Sequence, residues 1–364
     1  MAMMKAAAFL EKGRIEIVQK PIPDVGPNDA LIRITTTTIC GTDVHILKGE
    51  YPVEKGLTVG HEPVGVIEKL GSAVQGYQEG QRVIAGAICP NFNSYAAQDG
   101  YPSQDGSYLS ARGLCGCHGY KATAGWRFGN LIDGTQAEYV LVPDAQANLA
   151  PIPDGLTDEQ VLMCPDIMST GFVGAENANI KIGDTVVVFA QGPIGLCATA
   201  GARLLGATTI IAVDGNDHRL GIAKKMGADV TLNFRNVDVV SEVLKLTGGK
   251  GADSSIEALG TQATFEQAMK VIKPGGTLSS LGVYSGDLKI PLAAFASGLG
   301  DHTIRTALCP GGKERMRRLM NVIEANRLDL GVMVTHERKL DDIVEAYDLF
   351  ANQRDGVLKI AIKP

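Results

Sequence analysis

One uncharged run, Thr185 to Ala202, constrains the fold of this chain more than any other segment. It begins with Thr185-Val186-Val187-Val188-Phe189, a near-continuous apolar strand of the kind buried on both faces of a sheet. The turn Ala190-Gln191-Gly192-Pro193-Ile194-Gly195 follows, then a helical stretch through Leu205. Gln191 and Gly192-Pro193 divide the run, so a buried strand and a buried helix are expected rather than a membrane span. A second strand, Thr208 to Val213, leads to a helix, Leu220 to Met226, and a third strand, Val230-Thr231-Leu232. Phe265 to Lys273 reads as another helix, stopped by Pro274-Gly275-Gly276 before the strand Thr277 to Leu281. This alternation predicts an α/β unit, a doubly wound parallel sheet with helices on both faces.

Residues 1–165 have a different texture, rich in Gly, Pro and short β-type runs. Leu31 to Thr36, Pro63 to Ile67 and Ala137 to Val142 are examples, and turn residues separate them as a small Greek-key or barrel-like β domain requires. After Cys309-Pro310-Gly311-Gly312 come a helix rich in Arg and Met and a β tail, Val357 to Ile362. A length of 364 residues suits two domains, and 45% hydrophobic with 20% charged residues argues against disorder. The balance of 34 basic and 40 acidic residues disfavours nucleic acid as a partner. Seven scattered cysteines do not form a secreted disulfide framework, and the apolar stretch within Met1 to Leu10 is too short for a signal peptide. A cytoplasmic protein without a membrane span is expected.

The turn is G-x-G-x-x-G with alanine in the first position, tolerable if the φ of Ala190 stays negative. Gly192 would let backbone approach a pyrophosphate, Pro193 and Ile194 open the helix that supplies N–H groups, and Gly195 permits close packing. Asp214 ends the next strand, 19 residues after Gly195. A carboxylate there accepts hydrogen bonds from ribose hydroxyls and repels a 2′-phosphate, which favours NAD over NADP. Arg219 lies close enough in sequence to soften that discrimination.

Cys40-Gly41-Thr42-Asp43-Val44-His45 follows a strand, and Gly60-His61-Glu62 opens another segment. A Cys40 thiolate and a neutral His61 imidazole suit Zn²⁺, and Asp166 is the best candidate for the third ligand of an open, catalytic site. Asp43 would receive the other ring N–H of His61, and Glu62 would sit beside the metal or bind it occasionally. Taken singly, a buried Cys, a core His and a loop Asp are ordinary; a longer pattern joins them.

That pattern is Gly60-His61-Glu62-x2-Gly65-x5-Gly71-x2-Val74, followed by Gly80-Gln81-Arg82-Val83. It resembles the zinc signature of the medium-chain alcohol dehydrogenases, and the resemblance covers nearly the whole chain. Pro165-Asp166-Ile167-Met168-Ser169-Thr170-Gly171 and Ala124-Gly125-Trp126-Arg127-Phe128 are most similar to the microbial secondary-alcohol subfamily, which carries Asp where many relatives have a third Cys. The resemblance makes Cys164 a decoy. It implies a GroES-like catalytic domain at 1–169 and 310–364 and a Rossmann dinucleotide-binding domain at 170–309. It further implies one catalytic zinc per subunit, Thr170 at the cofactor, and a homotetramer, with a homodimer as the other option.

The structural-zinc spacing of that family falls here on Asn91, Ser94, Ala97 and Asp105, none of them cysteine, so no second zinc is expected. Cys115-Gly116-Cys117-His118 is displaced from the pattern, and its one-residue gap suits neither ribbons nor fingers. The family chemistry passes a hydride between a small alcohol (an aldehyde or ketone in reverse) and a nicotinamide. A proton path would run through the Thr42 hydroxyl and the nicotinamide ribose to His45, and Ala87, Trp126, Leu308 and Cys309 would line the substrate pocket. Residues 99–123, longer than expected for the subfamily, would reshape the pocket mouth or a subunit contact. The rivals are a zinc-dependent polyol or threonine dehydrogenase, a zinc-free quinone or enone reductase, and a zinc-free nucleotide-binding protein with a structural or regulatory role.

Overall fold

The computed structural model describes residues 2–114 and 119–364, so the Cys115 to His118 expectation lies outside the described residues. The chain divides into two compact units, Met1–Ser169 with Cys309–Pro364, and Thr170–Leu308. Cys309 therefore belongs to the first unit rather than the second. Its thiol is buried against the carbonyls of Pro165 and Asp166.

The first unit opens with a hairpin that sequence reading missed, β1 (Met3–Glu11) and β2 (Arg14–Pro21), turned at Gly13 with φ +82°. The strands β3 (Ala30–Thr38), β4 (Val64–Leu70), β5 (Arg82–Ala85), β6 (Tyr139–Val142) and β7 (Leu149–Pro151) then build an antiparallel sheet in the order β3-β4-β5-β7, with β6 paired to β3. One face carries Ile32, Ile34, Ile67, Val83, Val140 and Val142 into a core closed by Phe128 and Leu149. Gly65 keeps β3 and β4 close, because a Cβ there would lie 2.3 Å from the Arg33 carbonyl oxygen.

The second unit is a parallel sheet of β8 (Thr185–Phe189), β9 (Thr209–Asp214), β10 (Val230–Asn233), β11 (Ala252–Glu257), β12 (Ile272–Ser280) and β13 (Thr303–Thr306) in the order β10-β9-β8-β11-β12-β13. Strand order reverses between β8 and β11, the place where doubly wound sheets bind ligands beyond their carboxyl ends. One expectation fails here. The helix ends at Lys270, and β12 already starts at Ile272 and runs through Pro274-Gly275-Gly276. The register jumps from Ala252↔Ile272 to Ser254↔Thr277, so these turn formers lie in a bulge, where a strand tolerates proline.

The C-terminal segment returns to the first unit. The helix Lys313–Glu324 precedes β14 (Val334–Lys339), the helix Ile343–Ala351 and β15 (Lys359–Lys363). β15 pairs with the end of β3 at Thr37 and Thr38, directly before Cys40.

Candidate functional site

Three segments of the first unit bring four donor residues together. β3 ends at Thr38, and Cys40 caps the helix Gly41–Leu47. Asp43 locks this turn by accepting the Cys40 N–H at 2.8 Å on Oδ2. His61 and Glu62 lie on the irregular segment that leads into β4. Asp166 comes from a single π-helical turn, Cys164–Met168, an irregularity that occurs frequently at functional sites.

The donor atoms of Cys40, His61, Glu62 and Asp166 lie within 4.8 Å of one another, and all four residues are buried. Cys40 Sγ donates to Asp166 Oδ2 at 3.4 Å, and His61 Nε2 stands 3.4 Å from the same oxygen. Ligand atoms on a tetrahedral zinc stand about 3.4–3.6 Å apart, so the donor set already has the spacing of such a site. His61 Nδ1 faces Asp43 Oδ1 at 3.4 Å, and neither atom has any other polar partner among the described residues.

Electrostatics points the same way. Burial pushes the Cys40 thiol up, the Asp166 carboxylate adds to this, and His61 and Lys359 offset it in part. Burial opposes charge on His61, but the carboxylates of Asp43 and Asp166 outweigh it and hold its pKa well above the ordinary value. Acidic groups outnumber basic ones around this cluster, and a divalent cation would supply the balancing charge.

Glu62 is held by a residue that sequence reading missed. Its Oε2 accepts from Lys359 Nζ at 2.7 Å, the lysine also donates to the Ile39 carbonyl at 3.1 Å, and both side chains are buried. The available signal was a lysine inside the apolar tail Val357 to Ile362. Thr42 Oγ1 lies 3.7 Å from Cys40 Sγ. His45 is exposed on the same helix, with Nδ1 on the Glu50 carboxylate.

Trp126 stands edge-on to His61, ring centres 5.9 Å apart, and to Tyr51 at 5.3 Å. The Ala87 N–H donates to the Pro165 carbonyl at 2.9 Å, so Ala87 and Cys309 both hold the turn that carries Asp166. Ser103 Oγ donates to the Cys309 carbonyl at 2.9 Å, which ties the long 99–123 segment to that same residue. Leu308 ends the second unit. Cys164 lies outside the donor cluster, its thiol turned to Met168 Sδ at 3.9 Å and pushed up by burial.

At the four positions of the structural-zinc spacing, Ser94 Oγ accepts the Ala97 N–H at 3.3 Å. The fully buried Asp105 accepts the Asn91 N–H at 2.7 Å and Arg127 Nη2 at 2.8 Å on one oxygen, and the Ser107 N–H at 2.9 Å on the other.

In the second unit, the glycine turn joins β8 to the helix Pro193–Leu204. The condition set for Ala190 is not met: its φ is +68°. Gly195 explains part of this crowding, since a Cβ there would lie 1.8 Å from the Ala190 carbonyl oxygen. The tightness that demands glycine is thus within the turn itself. Left-handed backbone costs a residue with a Cβ about 1–2 kcal/mol, so Ala190→Gly is expected to stabilise this unit by about 1 kcal/mol. Thermal unfolding checks this as a raised midpoint.

Gly192 has φ −67°, and a Cβ there would meet nothing within 4 Å. No contact inside the chain requires glycine at this position, which fits a cradle kept open for a phosphate at the helix N-terminus. Asp214, buried at the end of β9, accepts the Gln191 N–H at 2.6 Å on Oδ2 and the Asn216 N–H at 2.8 Å on Oδ1. It thus shapes the turn as well as presenting charge beside it. Arg219 lies in the first turn of the helix Asp217–Lys225, and Thr170 opens the unit as a buried residue.

Comparison with known proteins agrees with this geometry. The family model described as alcohol dehydrogenase GroES-like domain matches residues 26–154, and that described as zinc-binding dehydrogenase matches residues 193–325. The chain is 85% identical over 363 residues to an alcohol dehydrogenase of Cupriavidus necator, covering 100% of this chain and 99% of the relative. It is 38% identical to an NADP-dependent isopropanol dehydrogenase of Entamoeba histolytica, covering 99% and 96%. Among solved structures, the alcohol dehydrogenase TADH from Thermus sp. ATN1 superposes with a TM-score of 0.85 at 30% identity, covering 99% of each chain.

Proposed function

The chain belongs to the zinc-dependent medium-chain alcohol dehydrogenases, and from that premise we propose that it transfers a hydride between a small primary or secondary alcohol and NAD. The convergence of Cys40, His61 and Asp166 at zinc-ligand spacing carries the reading. Bound there, zinc supplies the Lewis acidity that makes an alcohol hydroxyl acidic, and the nicotinamide supplies the hydride acceptor.

The chain's own groups do the rest. Cys40 and Asp166 contribute two negative charges and match a divalent ion, while His61 binds as a neutral donor. Asp43 holds the proton on Nδ1 of His61 and leaves Nε2 free to bind. Thr42 takes the hydroxyl proton toward His45, whose exposed imidazole passes it to water. Trp126, Ala87 and Cys309 form an apolar wall that suits a short alcohol.

Asp214 supports NAD, because its buried carboxylate repels a 2′-phosphate. The relative from Entamoeba histolytica is NADP-dependent, so a preference for NAD would set this chain apart from it. Asp214→Asn keeps one acceptor for the turn and removes the charge. It is expected to raise kcat/KM with NADP relative to NAD by roughly tenfold, about 1.4 kcal/mol, in parallel assays.

The reading includes a cytoplasmic location, supported by cysteines that are scattered along the chain and buried where described. It also includes assembly into a homotetramer. The edge strand β13 is exposed at every residue, and Leu292, Phe295 and Leu299 are exposed in the same unit. Sedimentation measures the stoichiometry, and a monomer would contradict it. Initial rates with 2-propanol, ethanol, sorbitol and threonine, with each nicotinamide cofactor and a zinc count, test the function. Turnover of the simple alcohols is expected, and preference for sorbitol or threonine would reject it.

A further inference from the structure

We propose that Gln136 is the positioning residue that sets His61 for metal binding, with Tyr347 fixing its amide; this rests on the zinc reading above. Gln136 is fully buried just ahead of β6 and touches both arms of the donor cluster. Its backbone N–H donates to the Val59 carbonyl at 3.0 Å, on the approach to His61. Gly60, between them, has φ +91°, and a Cβ there would lie 2.6 Å from Gln136 Cγ. The side chain reaches the other arm: Nε2 donates to the Thr38 carbonyl at 3.1 Å and to Asp43 Oδ2 at 3.3 Å. Asp43 Oδ2 also accepts the Cys40 N–H, and Oδ1 faces His61 Nδ1.

The two ends of an amide differ, and this gives the arrangement its direction. Tyr347, buried on the helix Ile343–Ala351, donates its hydroxyl to Gln136 Oε1 at 2.9 Å. Both N–H bonds of Nε2 are then committed to acceptors, so Asp43 receives a hydrogen bond and offers only lone pairs to His61. Asp43 thereby keeps the ring proton on Nδ1, and Nε2 faces Cys40 and Asp166 with its lone pair. The C-terminal helix, which supplies none of the donors, thus fixes the tautomer of one of them.

Gln136→Met fills the same space and donates nothing. Zinc titrated against a chromogenic chelator should bind this variant about 10–100-fold more weakly. The metal-free protein should lose stability as well, since the Thr38 carbonyl, Asp43 and the Tyr347 hydroxyl lose a buried partner. The visible spectrum of the cobalt-substituted folded variant should shift, which a merely structural role would not cause. Tyr347→Phe should weaken zinc binding alone, toward the lower end of that range, and add nothing to Gln136→Met. A pure packing role would lower metal-free stability and leave affinity unchanged. Wild-type affinity in folded Gln136→Met overturns the inference; should that variant not fold, unchanged affinity in Tyr347→Phe overturns it. Wild-type protein that takes up no zinc overturns the functional reading as well, so the two failures are distinguishable.

Discussion

Alanine in place of Asp166 is expected to lower kcat/KM for alcohol oxidation by roughly 10³–10⁴-fold, since Lewis-acid stabilisation of developing charge is worth several kcal/mol and each 1.36 kcal/mol is tenfold. Asp166 Oδ2 is the atom shared by the cluster, 3.4 Å from both Cys40 Sγ and His61 Nε2. Without it two of the three proposed ligands remain, Glu62 being held by Lys359, and a metal held by two side chains is poorly retained. The zinc content of the purified variant should fall along with its rate. Asp166→Cys keeps the ligand charge and should retain both in part. A variant with full zinc and undiminished kcat/KM would show that the carboxylate is not a ligand.

The second large effect is on stability. Asp105 and Arg127 form a buried ion pair at 2.8 Å, with side-chain exposures of 0% and 5%, and two backbone N–H groups bind the same carboxylate. Asp105→Ala leaves the Arg127 guanidinium with Asp144, at 3.5 Å, as its remaining acidic partner. Removing one member of such a pair costs about 3–5 kcal/mol where the survivor stays buried and unpaired, and the longer contact to Asp144 offsets part of this, so about 3 kcal/mol is expected. Trp126, the single tryptophan and the neighbour of Arg127, reports urea unfolding of this unit by fluorescence. Burial opposes the charge of Asp105, but the N–H groups of Asn91 and Ser107 and the Arg127 charge win and hold its pKa below the usual value. A depressed folded pKa gives stability that is present above the ordinary Asp range and is lost as pH falls through the folded value. The wild-type protein should therefore lose this contribution in acid, and Asp105→Ala should lack that part of the pH dependence.

The metal donors and the nucleotide turn were legible because their information is local. Cys40 with Asp43, His61 with Glu62, Asp166, and the turn from Gly192 to Gly195 each sit in short motifs that are ordinary singly and point to the chemistry through the longer pattern that joins them. The partners that hold them were not legible, because the chain supplies them from far away. Lys359 reaches Glu62 across 297 positions, and Tyr347 reaches Gln136 across 211. Asp105 occupies a position that invited comparison with a metal ligand, and only the fold shows the arginine at its side. Ala190 failed for a different reason: its φ follows from how tightly the turn closes on Gly195, a constraint of the whole turn that overrides the preference of one side chain. Pro274-Gly275-Gly276 carries the same lesson, since breakers stop a helix yet are equally at home in a bulge.

Stripping the metal with a chelator and titrating zinc back, while following alcohol turnover, tests the central claim most directly. Turnover should vanish in the stripped protein and return in proportion to added zinc, saturating at one ion per chain. A stripped protein that oxidises alcohols at its original rate would contradict the account.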